Sequence, residues 1–566
     1  MSLFTTIRNA GHSLEVFSTG IQVAGNNISN ASTPGYIRER LNVSTNPPYY
    51  YGGVLLGTGS HVVGIRQQID KYLEVRLHSA SSEASGSDAR NLIYKQLETT
   101  LGELGTGDLS TSVNDFLAKL NDVANQPENP ANRYLAVQQG TQVANSIVAL
   151  RNRVDDLRSA QTTKINDLIT EANQLIDQVR ELNPQITQLE GAGMNLSDAG
   201  GLRTQRYEAL QRLSEILPIQ MNEHDNGTVD VFIGSNYLVL GDQVNHLEPT
   251  VSVDRGIQVT NVQIENTHAP LTGTAGELNG VLNGRDEILG GFVDTLDTFT
   301  SHFIQLFNSI HTQGEGLQGF TDVTGTYAVD DVNQPLSNAG LAFPPQHGSF
   351  EVKVKNLQTG LIETQTINID LDGIDPTNDT SLDDLKTLLN GVGNITATIT
   401  ADRKLKLTAA DGYEISFAND TSNVLSGLGL NTFFTGTDSS NIAVNSVVSG
   451  NPNFFATGRG GGPADGSNAV ELAQFFDQAQ TGLGNLSLNQ FYINTVSTVA
   501  QESASEQAIS DGFATYRDSL SSQRAQYTGV SLDEEAINVM QLQRAYQATA
   551  RMITTADELF NILLNI

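Results

Sequence analysis

The sequence predicts a multidomain, mainly α chain with β-rich parts: discontinuous terminal coiled-coil helices, a helical rod domain and an inserted β-rich domain. Three observations predict this class. The chain has 566 residues, more than one core holds at about 100–200 residues per domain. Both ends carry apolar residues at alternating spacings of four and three, the heptad seam of a coiled coil. Near residue 343 the texture changes from helical periodicity to short alternating runs bounded by turn residues.

Taken in order, the first seam is Leu3, Ile7, Ala10, Leu14, Phe17, Ile21, Ala24 and Ile28. It is closed by Asn30 and then by Thr33-Pro34-Gly35, which a helix cannot cross. After Tyr36, β-like runs and turns extend to about Ile69 and include the cluster Pro47-Pro48-Tyr49-Tyr50-Tyr51-Gly52-Gly53. A largely helical region follows to about residue 217, clearest at Leu168, Ala172, Leu175, Val179, Leu182, Ile186 and Leu189. Pro184 is expected to kink or interrupt its last turns, because proline lacks the amide proton and clashes one turn back. Val229–Ile233 reads as a strand after the turn Asn226-Gly227, and an amphipathic helix runs from about Gly276 to Ile310.

Within 343–433 the alternating runs Phe350–Val354 and Thr366–Ile369 read as a strand pair. A short helix over Leu382–Leu389 follows, then strands at Ala397–Ile399 and Leu405–Leu407. The Gly-rich stretch Gly458–Pro463 leads back to helices. The last seam is Val539, Leu542, Tyr546, Thr549, Ile553, Ala556, Phe560 and Leu563, flanked by Ala545, Met552, Leu559, Ile562 and Ile566. So broad an apolar face exceeds what one partner helix covers. Periodicity leaves two readings open: the ends pair inside one core, or they form a coiled coil that also packs on neighbouring copies. The expected partition is 1–75, 76–342, 343–433, 434–530 and 531–566, with the first and last parts forming one discontinuous unit.

Hydrophobic residues make up 38% and charged residues 17% of a chain with net charge −32, which fits a folded protein. With 63 acidic residues against 31 basic ones, no Lys/Arg stripe exists to displace phosphate counterions, so nucleic acid is excluded as a partner. The same charge opposes unaided adsorption on an anionic membrane face, and no apolar run approaches the roughly 20 residues that span a bilayer. There are no cysteines, hence no disulfides, thiolate metal sites or cysteine nucleophiles. The start Met1–Arg8 lacks the charged and apolar regions of a cleaved signal peptide, so a chain working outside the cell would have to leave by a route that reads no such signal.

Chemistry finds no foothold. The Gly-rich stretch lacks the Lys-Ser/Thr of a P-loop and reads as a flexible connection. His302 and His311 are not at the helical spacing of a zinc pair. Asp533-Glu534-Glu535 reads as helix N-terminal charge and capping. No catalytic residue, cofactor site or metal site is expected, and the chain is not read as an enzyme.

Ala24-Gly25-Asn26-Asn27-Ile28-Ser29-Asn30-Ala31-Ser32-Thr33-Pro34-Gly35-Tyr36 resembles the N-terminal signature of flagellar rod, hook and hook-associated axial proteins. It reads physically as a helix end with capping Asn side chains and a Pro-Gly turn. Gly57-Thr58-Gly59 with Val62, Ile65-Arg66, Asp70 and Tyr72-Leu73 resembles the next block. Gly529–Ala536 and Gln541-Leu542-Gln543-Arg544-Ala545-Tyr546-Gln547-Ala548 resemble the C-terminal helix. In the middle, Asn125-Gln126-Pro127 with Arg133, Leu213-Ser214-Glu215, Phe307-Asn308, His311 and Gly314 are similar to the hook-associated branch. Thr204-Gln205-Arg206-Tyr207 departs from the usual Asp-Gln-Arg-Asp, which puts the local polar contacts there in doubt; Ile37 stands where Ser or Thr is common and Ser60 where Val is common, and none of these touches the terminal seams.

The resemblance implies a structural, non-enzymatic junction protein between hook and filament, on the bacterial flagellum outside the cell. It implies export through the flagellar type III apparatus and terminal segments that order on assembly. It implies partners: further copies of the chain, hook protein below, a second junction protein above, and an export chaperone on the C-terminal helix. The assembly seam is then Leu3, Ile7, Leu14, Phe17, Ile21, Ile28, Leu542, Tyr546, Ile553, Phe560 and Leu563. The family motif is Asn26, Asn27, Asn30, Thr33, Pro34, Gly35, Tyr36, Gln543 and Ala545. The β-rich part becomes an outer domain. Two alternatives stand beside this: another axial protein, such as the hook protein or the second junction protein, or a surface adhesin or enzyme active in the β-rich part.

Overall fold

The structure, a computed structural model, describes residues 3–33, 35–102, 108–190, 197–271, 273–374 and 379–564. Pro34 of the motif and Ile566 of the flanking line lie outside the described residues. Helix accounts for 55% of the chain and strand for 19%, as the mainly α, multidomain reading requires. The chain divides into two compact units, one made of 1–93, 159–286 and 503–566, the other of 94–158 and 287–502. This division differs from the expected partition, because the helices Lys71–Leu101, Pro130–Glu190 and Leu488–Thr528 each contribute to both units. A helix as long as the 61-residue Pro130–Glu190 outruns any single core.

In the first unit, Ile165, Leu168, Ile169, Ala172, Ile176 and Val179 of that helix are buried together with Leu210, Leu213 and Ile216 of the helix Gly200–Ile216. The same core takes residues from an antiparallel sheet ordered Ile219–Glu223, Val229–Ile233, Asn236–Leu240 and Gln243–Val244. The apolar period thus becomes one buried stripe, which is where most helical stability originates. Pro184 does not interrupt the helix, which runs on to Glu190. Its ring is exposed, and its neighbour Asn183 is buried and pinned: Nδ2 donates to the Val229 carbonyl at 2.9 Å while Oδ1 accepts from the Val229 amide at 3.1 Å. Tertiary bonds beside the proline offset its missing one.

At the N-terminus, the helix Leu3–Ser29 packs on the antiparallel strands Glu39–Thr45 and Ser60–Gln67 and on the last helix, Leu532–Leu564. Tyr49–Tyr51 and Val54–Leu56 form the tip of the same ribbon, tied to it by the Asn46 amide donating to the Gly59 carbonyl at 2.9 Å.

The described residues of the second unit form two cores. One is aromatic, with Phe116, Phe299, Phe303, Phe307, Phe433 and Phe434 among its fully buried rings. The helix expected over 276–310 is built in pieces: Glu277–Asn283, a π-helical stretch Gly284–Leu289, and Gly290–His311. The other core is the β-rich part. The strand Gly348–Asn356 pairs antiparallel with Ile362–Ile369 and with Tyr413–Ala418, setting Phe350 opposite Ile367. The expected helix runs over Leu382–Asn390, opened by a capping box on Ser381 and Asp384. The boundary at 343 is corrected to about 320. The strand Asp322–Thr324 pairs with Leu405–Ala409, and Phe320, Val323, Val329, Leu336 and Leu341 are buried in this core. At the other end Phe433 and Phe434 belong to the aromatic core. The irregular stretch from 320 to 343 carries isolated apolar residues with no period, so its membership is invisible to pattern reading.

The Gly458–Pro463 stretch is not the loose connection expected. Asp465 accepts hydrogen bonds from the amides of Arg459, Gly461 and Ser467 at 2.7–2.9 Å, which fixes the turn. Among the described residues no helix is long and apolar enough to cross a membrane.

Candidate assembly site

The first and last helices lie antiparallel. Near one end the rings of Phe4 and Phe560 meet edge to face with centroids 5.3 Å apart. Further along, a Cβ added at Gly20 would stand 3.0 Å from Leu542 Cδ1. A glycine at this point lets the two backbones approach, at the cost of a weaker intrinsic helix.

The residues that this packing buries on the first helix are Ala10, Val16, Gly20, Val23, Ala24 and Asn27. Of the expected seam only Ala10 and Ala24 are among them. Leu3, Ile7, Leu14, Phe17 and Ile21 are half-buried, and Ile28 is 37% exposed. At about 3.6 residues per turn, Val16, Gly20, Val23 and Asn27 share a stripe rotated by about a third of a turn from Leu14, Phe17 and Ile21. Small residues thus face inward, and the large apolar ones border solvent. On the last helix Thr549 and Ala556 are buried, while Leu542, Ile553 and Phe560 are half-buried. Tyr546 and Leu563 are 40% and 61% exposed, and Met552, Leu559 and Ile562 are also exposed. The pair is formed within the chain and still leaves an apolar face on each helix.

The motif that ends the first helix is a compact polar knot. Asn27, buried, donates from Nδ2 to the Glu39 carbonyl at 2.9 Å, and its Oδ1 accepts from the Glu39 amide at 3.0 Å. One side-chain amide therefore mimics a strand neighbour for Glu39. The Tyr36 hydroxyl donates to the same Oδ1 at 2.9 Å; burial, with Glu39 and Glu535 nearby, pushes its pKa well above the usual phenol range. Asn26 Nδ2 donates to Glu39 Oε2 at 3.2 Å. Asn30 Nδ2 caps the helix by donating to the Asn26 carbonyl at 3.0 Å, and the Thr33 hydroxyl donates to Asn30 Oδ1 at 3.3 Å. Gly35 has φ +71°, a left-handed conformation that glycine adopts without strain, so this turn favours glycine. Gln543 is exposed and Ala545 half-buried on the last helix, outside this knot.

Arg38 joins the knot to the last helix. Its guanidinium donates to both carboxylate oxygens of Glu534, at 3.1 and 2.9 Å, and lies 2.6 Å from Glu535 Oε1. The Glu534 carboxylate, assisted by Glu535, holds the guanidinium above its ordinary pKa. Its backbone amide donates to the Thr528 carbonyl at the end of the preceding helix. Asp533-Glu534-Glu535 thus serves as an ion-pair partner as well as first-turn charge. Arg38 and Glu39 escaped the sequence reading, since no local pattern says which acid a lone arginine will meet.

Residues singled out in the middle of the chain converge in the second unit. Arg133 is buried and donates to the carbonyls of Pro127 and Phe455 at 2.5 and 2.6 Å and to the Thr457 hydroxyl. Asn308 Oδ1 accepts from the amides of Phe433 and Phe434, both at 3.0 Å, and Nδ2 donates to the Phe434 carbonyl. His311 bonds the Asn431 carbonyl through Nδ1 at 2.8 Å and accepts from the Ala456 amide through Nε2 at 3.0 Å. Burial pushes its pKa down to about 4. Both ring nitrogens serve the backbone, so it offers nothing to a metal. In the first unit Arg206 is likewise buried, donating to Asn183 Oδ1 and the Gly227 carbonyl, and the Tyr207 hydroxyl donates to Glu223. The departure at 204–207 thus still places Arg206 and Tyr207 against polar partners. Among the described residues, acids with metal-ligand spacing occur at Asp370, Asp372 and Asp379, largely exposed, and nothing else there points to an ion. This surface can bury and pair.

Two family models match the chain: the flagellar hook-associated protein FlgK helical domain over residues 94–325 and the flagellar basal body rod FlgEFG protein C-terminal region over 522–566. Flagellar hook-associated protein 1 of Escherichia coli K12 is 25% identical over 99% of both chains. The protein of the same name from Bacillus subtilis 168 is 22% identical over 100% of this chain and 98% of its own. The solved structure of the flagellar hook junction protein FlgK from Burkholderia pseudomallei shares the fold, with TM-score 0.50 and 15% identity over 81% of this chain and all of that one.

Proposed function

From the premise that this chain belongs to the FlgK family of flagellar hook-associated proteins, we propose that it joins hook to filament through the apolar faces left open on its paired end helices. It is a structural component of the bacterial flagellum. The observation that carries the assembly reading is the half-exposed seam Leu3, Ile7, Leu14, Phe17 and Ile21, beside the exposed Met552, Leu559 and Ile562. Full burial of one such side chain contributes about 1.5–3 kcal/mol, so several buried together between copies outweigh the entropy of holding them.

In this reading the partners are further copies of the chain, hook protein on one side and a second junction protein on the other, and an export chaperone takes the C-terminal helix beforehand. The chain works outside the cell, carried there by the flagellar export apparatus. The apolar exposure explains the chaperone, since a long uncovered apolar stripe invites aggregation before assembly. Deleting residues 1–30 or 540–566 tests the proposal. The core built around Ile165–Val179 and the four-stranded sheet takes no described residue from either segment, so the remainder is expected to fold, as circular dichroism and a cooperative melt would show. The truncated protein is expected to be missing from isolated hooks, with filament assembly lost. Normal filaments on a truncated junction would overturn it.

A further inference from the structure

In the first unit, the stretch 503–528 of the helix Leu488–Thr528 lies antiparallel along the helix Lys71–Leu101. It buries very little apolar surface. Among its described residues Leu520 is the one buried apolar side chain, seated with Leu77 and Ala80, and Ser503, Ser510 and Thr528 are also buried. A helix usually owes its stability to an apolar face, so polar links carry this contact. Glu506 accepts from Ser87 and Arg90 at 2.7 and 2.9 Å, Ser510 donates to Asp88, and Arg76 donates to the Tyr516 hydroxyl at 3.1 Å. Nearest the helix end, Arg524 donates through Nε to Glu74 Oε1 at 2.5 Å.

Glu74 stands between two basic groups. Its other oxygen, Oε2, is buried without a hydrogen-bond partner, and so are both ring nitrogens of His78, one turn further along. His78 Nε2 lies 3.9 Å from that free oxygen, too far for a hydrogen bond and within reach of one by a small side-chain movement. Unpaired buried polar atoms cost stability, and here a single proton would join two of them in a charge-assisted bond. The charged and titratable groups around the cluster are Asp70 and Lys71 on the same helix, Arg524 on the facing one, Tyr207 on the helix Gly200–Ile216, and Glu223 on the neighbouring strand.

We propose that Glu74, His78 and Arg524 form a proton-operated latch on the helix stretch 503–528. With His78 neutral, the carboxylate serves Arg524 and the stretch stays seated. A proton from solvent makes the imidazole a second cation, which draws Glu74 Oε2 to hydrogen-bond distance and competes with Arg524 for one buried negative charge. Arg524, whose side chain is already 21% exposed, then leaves for water. With this link gone, Leu520 is the remaining apolar hold near the helix end, and the stretch opens from Thr528 inward. The Thr528 carbonyl also takes the Arg38 amide just ahead of the last helix, so the latch sets how firmly that helix is tied to its unit. It works within one chain, whether or not the end helices meet other copies. The sign of the pH response follows from burial. Burial first, then Arg524, pushes His78 down to about 4 in the closed state, whereas an exposed imidazole titrates near 6.5. Closure is therefore complete above 6.5 and weakens as pH falls toward 4. Burial pushes the Glu74 carboxyl up, which favours closure once that carboxyl is protonated, so the response is read at pH 5.5 and above.

Hydrogen exchange on the full chain, read by mass spectrometry and corrected for the intrinsic rate at each pH, tests the latch, because a helix end freed from its neighbour frays. Protection over 515–528 is expected to fall about eightfold from pH 7 to 5.5, the change that closed and open values of about 4 and 6.5 give. Protection over 165–179, in the core, is expected to hold. His78→Gln is expected to remove the fall, since glutamine takes no proton, and Glu74→Gln to lower protection over 515–528 already at pH 7. If His78→Gln does not fold, His78→Phe replaces it, and the comparison of 515–528 with 165–179 needs no variant at all. A fall over 515–528 no larger than over 165–179 overturns the latch. So does the same fall in a folded His78 variant, or full protection of Glu74→Gln at pH 7.

Discussion

Asn27 holds three partners with one amide group, the Glu39 amide, the Glu39 carbonyl and the Tyr36 hydroxyl. Only an amide offers donor and acceptor at the same spacing as a peptide group. In Asn27→Asp the donor is lost, and the Glu39 carbonyl is left buried beside a new negative charge. The expected cost is about 1–3 kcal/mol, read as a lower unfolding midpoint in denaturant; an unchanged midpoint would count against the knot. The buried histidines give a pH prediction. Burial, with Arg524 close by, pushes His78 in the first unit down to about 4, and His311 in the second is also pushed down to about 4. Each is neutral in the folded chain until about pH 4, whereas its unfolded counterpart takes up a proton near 6.5. Their stabilising contribution is therefore complete above 6.5 and falls with pH toward 4, by about 1.4 kcal/mol per pH unit for each group. Thermal melts between pH 7 and 5 are expected to show this decline. His311→Asn is expected to lower stability throughout while flattening the slope of the second unit's transition; an unchanged slope would contradict the assignment.

At the scale of elements, the two faces of the first helix make separable predictions. Gly20→Leu forces a side chain into Leu542 and is expected to destabilise the helix pair by about 1–3 kcal/mol, seen as faster hydrogen exchange in both helices. Ile28→Ser with Ile562→Ser changes exposed positions. It is expected to leave the melt within about 0.5 kcal/mol per site yet to lower the amount of protein retained on hooks. Equal effects of both changes on stability and retention would mean that the exposed face has no partner. The same helix shows what a sequence can tell. Its period, its end at Asn30 and the motif residues of the knot were legible, Glu39 excepted, because apolar spacing and turn chemistry are local. The buried stripe was legible only at Ala10 and Ala24, because Gly20 carries little hydrophobic signal, and burial depends on where a partner backbone comes closest. Strand pairs such as Phe350 with Ile367 were legible from alternation, whereas the hydrogen bonds of Arg133, Asn308 and His311 reach residues over a hundred positions away, Pro127 excepted, and stood in the sequence only as motif letters.

At the scale of the whole molecule, the corrected limits of the β-rich body decide whether it can be removed. Cutting out 343–433 deletes the strands but leaves Phe320, Val323, Val329, Leu336 and Leu341 without their core, since all are buried in it. The same cut removes Phe433, whose amide bonds Asn308 and whose ring packs on Phe307 at 4.9 Å. Two cores are damaged at once, and loss of a buried phenylalanine alone costs about 3–5 kcal/mol, a large share of what a domain has. Deleting 320–430 instead takes the body out with its own core and spares Phe433, Phe434 and the Asn308 bonds. A short Gly-Ser link would join Gly319 to Asn431, whose carbonyl His311 engages. The 343–433 deletion is expected to aggregate. The 320–430 deletion is expected to stay monomeric, to melt cooperatively, and to appear in hooks with filaments attached, because both end helices are untouched. Aggregation of both would mean that the β-rich body supports the rest of the second unit, and failure of a folded 320–430 deletion to carry filaments would move part of the junction's work from the terminal helices into that body.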